Sequence, residues 1–145
     1  MIYRGAAFLL AIFLTGPVAF AQETLDLKGT WIPSDGAHIV EGPSLHAESG
    51  TEDVPGHETA QQHTSKFVFK IEGQDGRRFW GEHASAEVME PLVGVISVDG
   101  KRFVMVDKDG TFNGTIEDAD TLDYCYAHVE PTHMAAACGL LKRQK

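Results

Sequence analysis

Positive charge is scarce in this chain. Twelve Lys and Arg stand against 21 Asp and Glu, giving a formal net charge of −9. Such a surface repels phosphate backbones and anionic membranes, so nucleic acid is not an expected partner. The basic tail Lys142, Arg143 and Lys145 is too short to change that. Long apolar runs are also missing after the first residues, and no segment has the roughly 20 apolar residues of a membrane-spanning helix. No long stretch repeats at helical spacing, which argues against a helical fold. There is no G-x-S-x-G elbow, phosphate-cradling glycine loop, H-x-H, HExxH or Cys-His cluster. Cysteine occurs only twice, as Cys125 and Cys138. No enzyme activity and no cofactor are therefore expected, although a Ser-His-Asp triad assembled in space would leave no local trace.

The first residues read as an export signal. Arg4 supplies a positive charge, Gly5 to Leu14 form an apolar run, and Ala19-Phe20-Ala21 ends it in the A-x-A pattern. Residues 1–21 are expected to be a cleavable signal peptide, and residues 22–145 one domain with one core. No cysteine lies near the cleavage point to carry a lipid anchor. The destination is the periplasm or the outside of the cell. In such an oxidising compartment Cys125 and Cys138 are expected to pair, the alternative being free or metal-binding thiols.

What the chain does contain is turn chemistry. Asp75-Gly76, Asp99-Gly100 and Asp109-Gly110 punctuate short β-rich runs. Tight hairpins need positive φ, which glycine permits. Strands are expected near 28–33, 66–73, 77–84, 92–98, 101–107, 111–117, 121–129 and 134–143, with a short piece at 38–41. Residues 34–65, rich in Pro, Gly, Ser, His and Glu, read as a long polar loop. About eight antiparallel strands in a meander can close into an up-and-down barrel, which removes exposed edges. The expected fold is thus all-β.

The turns also fix registers. A two-residue turn at Asp99-Gly100 sets Ile96 opposite Phe103 and Gly94 opposite Met105. One at Asp109-Gly110 sets Phe103 opposite Ile116 and Met105 opposite Gly114. A three-residue turn at 118–120 sets Ile116 opposite Leu122 and Gly114 opposite Tyr124. Pairing the cysteines sets Tyr124 opposite Gly139 and Leu122 opposite Leu141. One face then alternates small and large residues, as the interior of a small barrel does. The other face carries the cysteines and Val93, Val95, Val104 and Val106. Four adjacent outward valines call for a cover, either the 34–65 segment or a second subunit or other protein partner.

Gly29-Thr30-Trp31 on the first strand resembles the G-x-W start of lipocalins and related calycin barrels. The run Gly110-Thr111-Phe112-Asn113-Gly114-Thr115-Ile116, leading into Leu122-Asp123-Tyr124, looks like small secreted bacterial barrel proteins of unassigned function. The resemblance implies that Trp31 closes one barrel end against a basic residue of the last strand, Lys142 or Arg143. It also implies binding of a small apolar molecule in the barrel mouth.

Trp31, Phe69, Trp80, Met105, Phe112, Tyr124 and Tyr126 are the candidate lining of such a pocket, or simply the packing of a solid core. A second candidate site is metallic. His38, His46, His57 and His63 lie among Glu48, Glu52, Asp53 and Glu58, and imidazole with carboxylate suits zinc, copper or nickel. His46, His57 and His63 are the proposed ligands. His83, His128 and His133 read as surface residues near strand ends. Asp107/Asp109 and Asp118/Asp120 fall at turns, where Asp is favoured for local hydrogen bonding. They lack EF-hand spacing. The sequon Asn113-Gly114-Thr115 lies inside an expected strand and reads as chance.

Overall fold

A computed structural model describes residues 24–42, 51–63, 66–86 and 88–145, with Thr51 and His63 placed as backbone only. The expected signal segment, residues 1–21, lies outside the described residues, as does His46. Ten strands form one antiparallel sheet: β1 (Gly29–Glu41), β2 (Thr51–Asp53), β3 (Ala60–His63), β4 (Val68–Asp75), β5 (Arg78–Ala84), β6 (Met89–Ile96), β7 (Arg102–Val106), β8 (Gly110–Asp118), β9 (Thr121–Val129) and β10 (Met134–Arg143). Strands β4 to β10 follow one another as a meander. The last pairs with β1 from Trp31↔Arg143 to Glu41↔Met134, and β1 pairs with β4 through Gly29–Trp31. Eight strands thereby close into a barrel. No helix among the described residues is long and apolar enough to cross a membrane.

The 34–65 segment differs from its expected loop. The first strand continues through a bulge between Pro33 and Asp35 as far as Glu41, because β10 offers it a ladder along its whole length. Its far end also pairs with β3, and β2–β3 form a small hairpin beside the barrel. That hairpin is next to β1, away from β6 and β7 in the strand order. The described part of the segment therefore does not cover the valine face. Val93, Val95, Val104 and Val106 are 38–56% exposed.

Alternation makes the core. Strand β7 buries Phe103 and Met105 and exposes Arg102, Val104 and Val106, and β4 and β6 alternate likewise. Leu27, Trp31, Phe79, Ile96, Phe103, Leu122 and Leu141 belong to one buried cluster that continues to Phe69, Phe112 and Tyr124. Glycine makes room for rings in this interior. A Cβ on Gly94 would overlap the Phe79 ring, and one on Gly114 would overlap Phe103 and the Asp123 carbonyl. Small against large is thus the packing rule, as expected.

Most registers follow the turns. Ile96↔Phe103, Gly94↔Met105, Ile116↔Leu122, Gly114↔Tyr124, Tyr124↔Gly139 and Leu122↔Leu141 all pair. The β7–β8 hairpin departs by two residues: Phe103 faces Gly114 and Met105 faces Phe112. The reason is Asp107. Its Oδ1 accepts from the amides of Asp109 (3.1 Å) and Gly110 (2.7 Å). This side-chain turn places the reversal over Lys108-Asp109, closed by the Asp107 amide donating to the Gly110 carbonyl at 3.3 Å, instead of over Asp109-Gly110. A shift of two preserves parity, so the same side chains still face inward. The cysteines sit directly opposite each other on the outer face and form the Cys125–Cys138 disulfide, with Cα atoms 4.0 Å apart.

Candidate functional site

The two barrel ends are built from opposite chemistry. The end that holds the β4–β5, β6–β7 and β8–β9 turns is plugged. Trp31 is fully buried there, and its Nε1 donates to the Leu27 carbonyl at 2.8 Å. The Arg143 guanidinium lies 4.3 Å from the Trp31 ring. Its N–H groups donate to the carbonyls of Asp26, Lys28 and Ala119. Of the two basic residues offered for this role, Arg143 takes it. Lys142 instead donates to Thr121 Oγ1 at 2.7 Å.

The opposite end opens on a cavity of about 60 Å³. The β7–β8 and β9–β10 loops contribute Asp107, Asp109 and His133 to it, and His83 and Glu90 come from the facing ends of β5 and β6. Its walls are aromatic, with Phe69 and Phe112 edge to face at 5.3 Å and Phe112 against Tyr126 at 4.4 Å. Its polar groups are His38, His83, Glu90, Asp107, Asp109, Tyr126, His128 and His133.

His83 and Glu90 meet because they pair directly across β5 and β6, where facing side chains on one side of the sheet lie close. Asp107 arrives from the end of β7. Its Oδ2 is 3.3 Å from His83 Nδ1, and both side chains are nine-tenths buried or more. One donor atom from each of His83, Glu90 and Asp107 lies within 4.8 Å of the others. The His83 ring is stacked on Phe69 at 4.4 Å and flanked by Phe67 at 4.5 Å, which fixes its plane.

The electrostatics are those of buried anions. Burial, with the charges of Asp109 and Asp107, pushes Glu90 up from 4.5 to about 7. Burial also works against ionised Asp107. The hydrogen bonds from His83 and the Gly110 and Asp109 amides outweigh it and hold Asp107 below its ordinary value. Tyr126 is raised well above the ordinary phenol by burial and by the carboxylates around it. Among the described lining residues none is Lys or Arg, and none is Ser, Thr or Cys. The arrangement can hold a cation or a hydrogen-bond donor against carboxylate and imidazole.

Two further histidines face this cavity. His128 and His133 are buried, with ring centroids 4.8 Å apart. His128 Nδ1 lies 3.3 Å from the Tyr126 hydroxyl. His128 Nε2 and His133 Nδ1 have no hydrogen-bond partner among the described residues.

Four of the candidate lining residues, Phe69, Phe112, Tyr124 and Tyr126, meet at this cavity. Three do not. Trp31 belongs to the plugged end. Met105 is buried in the core but does not reach the cavity. Trp80 is 46% exposed on the outside, where its ring packs over Gly73. Its place in β5 points it away from the interior, one residue after inward Phe79. Of the candidate metal ligands, His57 stands exposed and its Nδ1 accepts from the Ala60 amide at 3.1 Å, a turn role. The histidines that do gather are His38, from the His-rich segment, and His83, His128 and His133, which read as surface from the sequence. Even strand parity could have found two of them. His83 is four residues after inward Phe79, and His128 four after inward Tyr124.

No family model, curated protein or solved structure matches this chain.

Proposed function

We propose that this is an exported, non-enzymatic binding protein of the calycin-like kind, which takes a small ligand into the open end of its barrel. The observation that carries the reading is the asymmetry of the two ends. One is sealed by Trp31 and Arg143, while the other presents an aromatic-walled cavity with Glu90, Asp107 and His83 inside. The Trp31–Arg143 closure supports the calycin resemblance, and the disulfide fits an oxidising compartment. The cavity volume limits the part of the ligand inside to a few heavy atoms. Carboxylates without a lining Lys or Arg favour a positively charged or donor-rich head. Aromatic walls favour an apolar body and strengthen cation binding through their ring faces.

Benzylammonium and benzoate are suitable probes, followed by NMR of the aromatic and histidine side chains. Benzylammonium should shift the signals of Phe112, Tyr126 and His128 saturably, and benzoate should not. Silence from benzylammonium at millimolar concentration would refute the reading. Tryptophan fluorescence is a poor reporter here, because neither Trp31 nor Trp80 lines the cavity.

The outer face supports a second reading. Trp80 faces Val93 across the ladder, Val93 faces Val106, and Val95 faces Val104. All five are exposed on one side of the barrel. A second copy of the chain docking there would remove an apolar patch that soluble monomers seldom leave open.

A further inference from the structure

We infer that His83, Glu90 and Asp107 form a site for one divalent first-row transition-metal ion, such as zinc or cobalt, inside the open end of the barrel. This deepens the proposed binding function and rests on it.

The first argument is geometric. One imidazole and two carboxylates, with donor atoms mutually within 4.8 Å, converge from two facing strands and the loop after β7. Metal–ligand bonds of about 2.0–2.2 Å place neighbouring donors roughly 3–3.6 Å apart. His83 and Asp107 already stand at 3.3 Å. Glu90 therefore needs to close by about an ångström, which a flexible side chain can do.

The second argument is the support behind the donors. A good site holds its ligands by outer contacts that set their orientation. Asp107 presents Oδ2 while Oδ1 is occupied by the amides of Asp109 and Gly110. The His83 ring is clamped by Phe67 and Phe69. The turn that shifts the β7–β8 register is the same device that aims Asp107 inward.

The third argument is charge. Glu90, Asp107 and Asp109 line one small cavity with no Lys or Arg among its described lining residues. Burying carboxylates without a counter-charge is costly, and a divalent cation removes that cost. An independent observation points the same way. His128 Nε2, 3.9 Å from Glu130 Oε1, and His133 Nδ1 are buried at this cavity and lack hydrogen-bond partners among the described residues. Buried polar atoms without partners are rare and commonly mark an ion or water that belongs there. They offer additional nitrogen donors or partners for a metal-bound water. Mixed nitrogen and oxygen donors suit zinc, cobalt or nickel better than magnesium or calcium, which favour all-oxygen shells.

The test uses untagged protein stripped with a chelator and titrated with Co(II) and Zn(II). One equivalent of Co(II) should bind and give a visible d–d spectrum, and Zn(II) should displace it. His83→Gln, Glu90→Gln and Asp107→Asn should each weaken Co(II) binding by at least the roughly 10–100-fold that loss of an outer contact costs. His57→Gln, in the polar hairpin, should leave binding unchanged. If Asp107→Asn fails to fold, Glu90→Gln keeps the test decisive, because it removes a buried charge without changing shape. Absence of saturable binding overturns the site, as does binding indifferent to the three substitutions or abolished by His57→Gln. If metal fails but benzylammonium still shifts the cavity signals, the ion is wrong and the binding function stands. If both fail, both readings fall.

Discussion

Replacing Arg143 with Ala should strip the plugged end of its organising group. The side chain is 18% exposed and engages five residues at once. Its Nε and Nη2 donate to the Ala119 carbonyl at 3.0 and 2.8 Å. Nη2 also reaches the Asp26 carbonyl at 2.8 Å, and Nη1 the Lys28 carbonyl. Its plane lies over Trp31, and it pairs with Asp120 at 3.3 Å. Hydrogen bonds from a charged donor are worth about 1.5–3 kcal/mol each, less where water can replace them. A cation–π contact of this kind adds about 1 kcal/mol. The ion pair with half-exposed Asp120 adds little. Water reaches part of this end, so we expect Arg143→Ala to cost about 3–5 kcal/mol, a large share of a small domain's stability. Urea unfolding in a Trp80→Phe background reads it directly, because fluorescence then reports Trp31 alone. Arg143→Lys keeps the charge but not the planar fork, and should recover less than half of the loss. A loss below about 1 kcal/mol for Arg143→Ala would show that Trp31 seals the end without it, and would refute the reasoning.

The remaining expectations are simpler. Gly94→Ala puts a Cβ into the Phe79 ring and should cost about 1–3 kcal/mol in a thermal melt; a neutral result would mean the ring has somewhere else to go. Replacing both Cys125 and Cys138 with Ser should cost about 3 kcal/mol in urea, from the loop of 13 residues it releases. Val95→Lys with Val104→Lys should leave the melt of a monomer nearly unchanged, since both side chains point outward, and should convert a dimer to a monomer in size-exclusion chromatography. Glu90 gives a pH signature in chelator. Its pKa in the fold, about 7, lies above the ordinary 4.5, so its contribution is fully present below about pH 4.5 and is lost as pH rises through about 7. Relative to Glu90→Gln, the parent should therefore lose on the order of 3 kcal/mol across that window, and parallel stability curves would contradict it.

The barrel was legible because its signals are local. Asp99-Gly100 turns where it should and Asp75-Gly76 marks a hairpin whose turn falls one residue later, over Gly76-Arg77, with Gly76 and Gly100 at φ 57° and 71°. Apolar alternation then decides which face is inside. The disulfide followed from the expected compartment, and pairing the cysteines then set the register of the last two strands. The open end was not legible, for physical reasons. The β5–β6 connection carries no Asp-Gly signal; it is closed by Ser85 and Val88 through Ser85 N to Val88 O at 2.8 Å and Val88 N to Ser85 Oγ at 3.2 Å. Without that turn, Met89-Glu90-Pro91 reads as loop, and the His83–Glu90 pairing is invisible. At Asp107 the side chain competes with the backbone for the turn, a choice that composition does not decide.

These two ends also explain each other. At the plugged end, a cation serves the backbone: Arg143 donates to the carbonyls of Asp26, Lys28 and Ala119. At the open end, no Lys or Arg lines the cavity among the described residues, and Glu90, Asp107 and Asp109 crowd it among rings. A purely structural core would favour apolar side chains there, since half-satisfied polar clusters are worse than none. The fold tolerates the cluster because Cys125–Cys138 and the Trp31–Arg143 plug secure the barrel elsewhere. A ligand that supplies the missing positive charge then stabilises the fold by mass action, by about 2.7 kcal/mol at a hundred times its Kd.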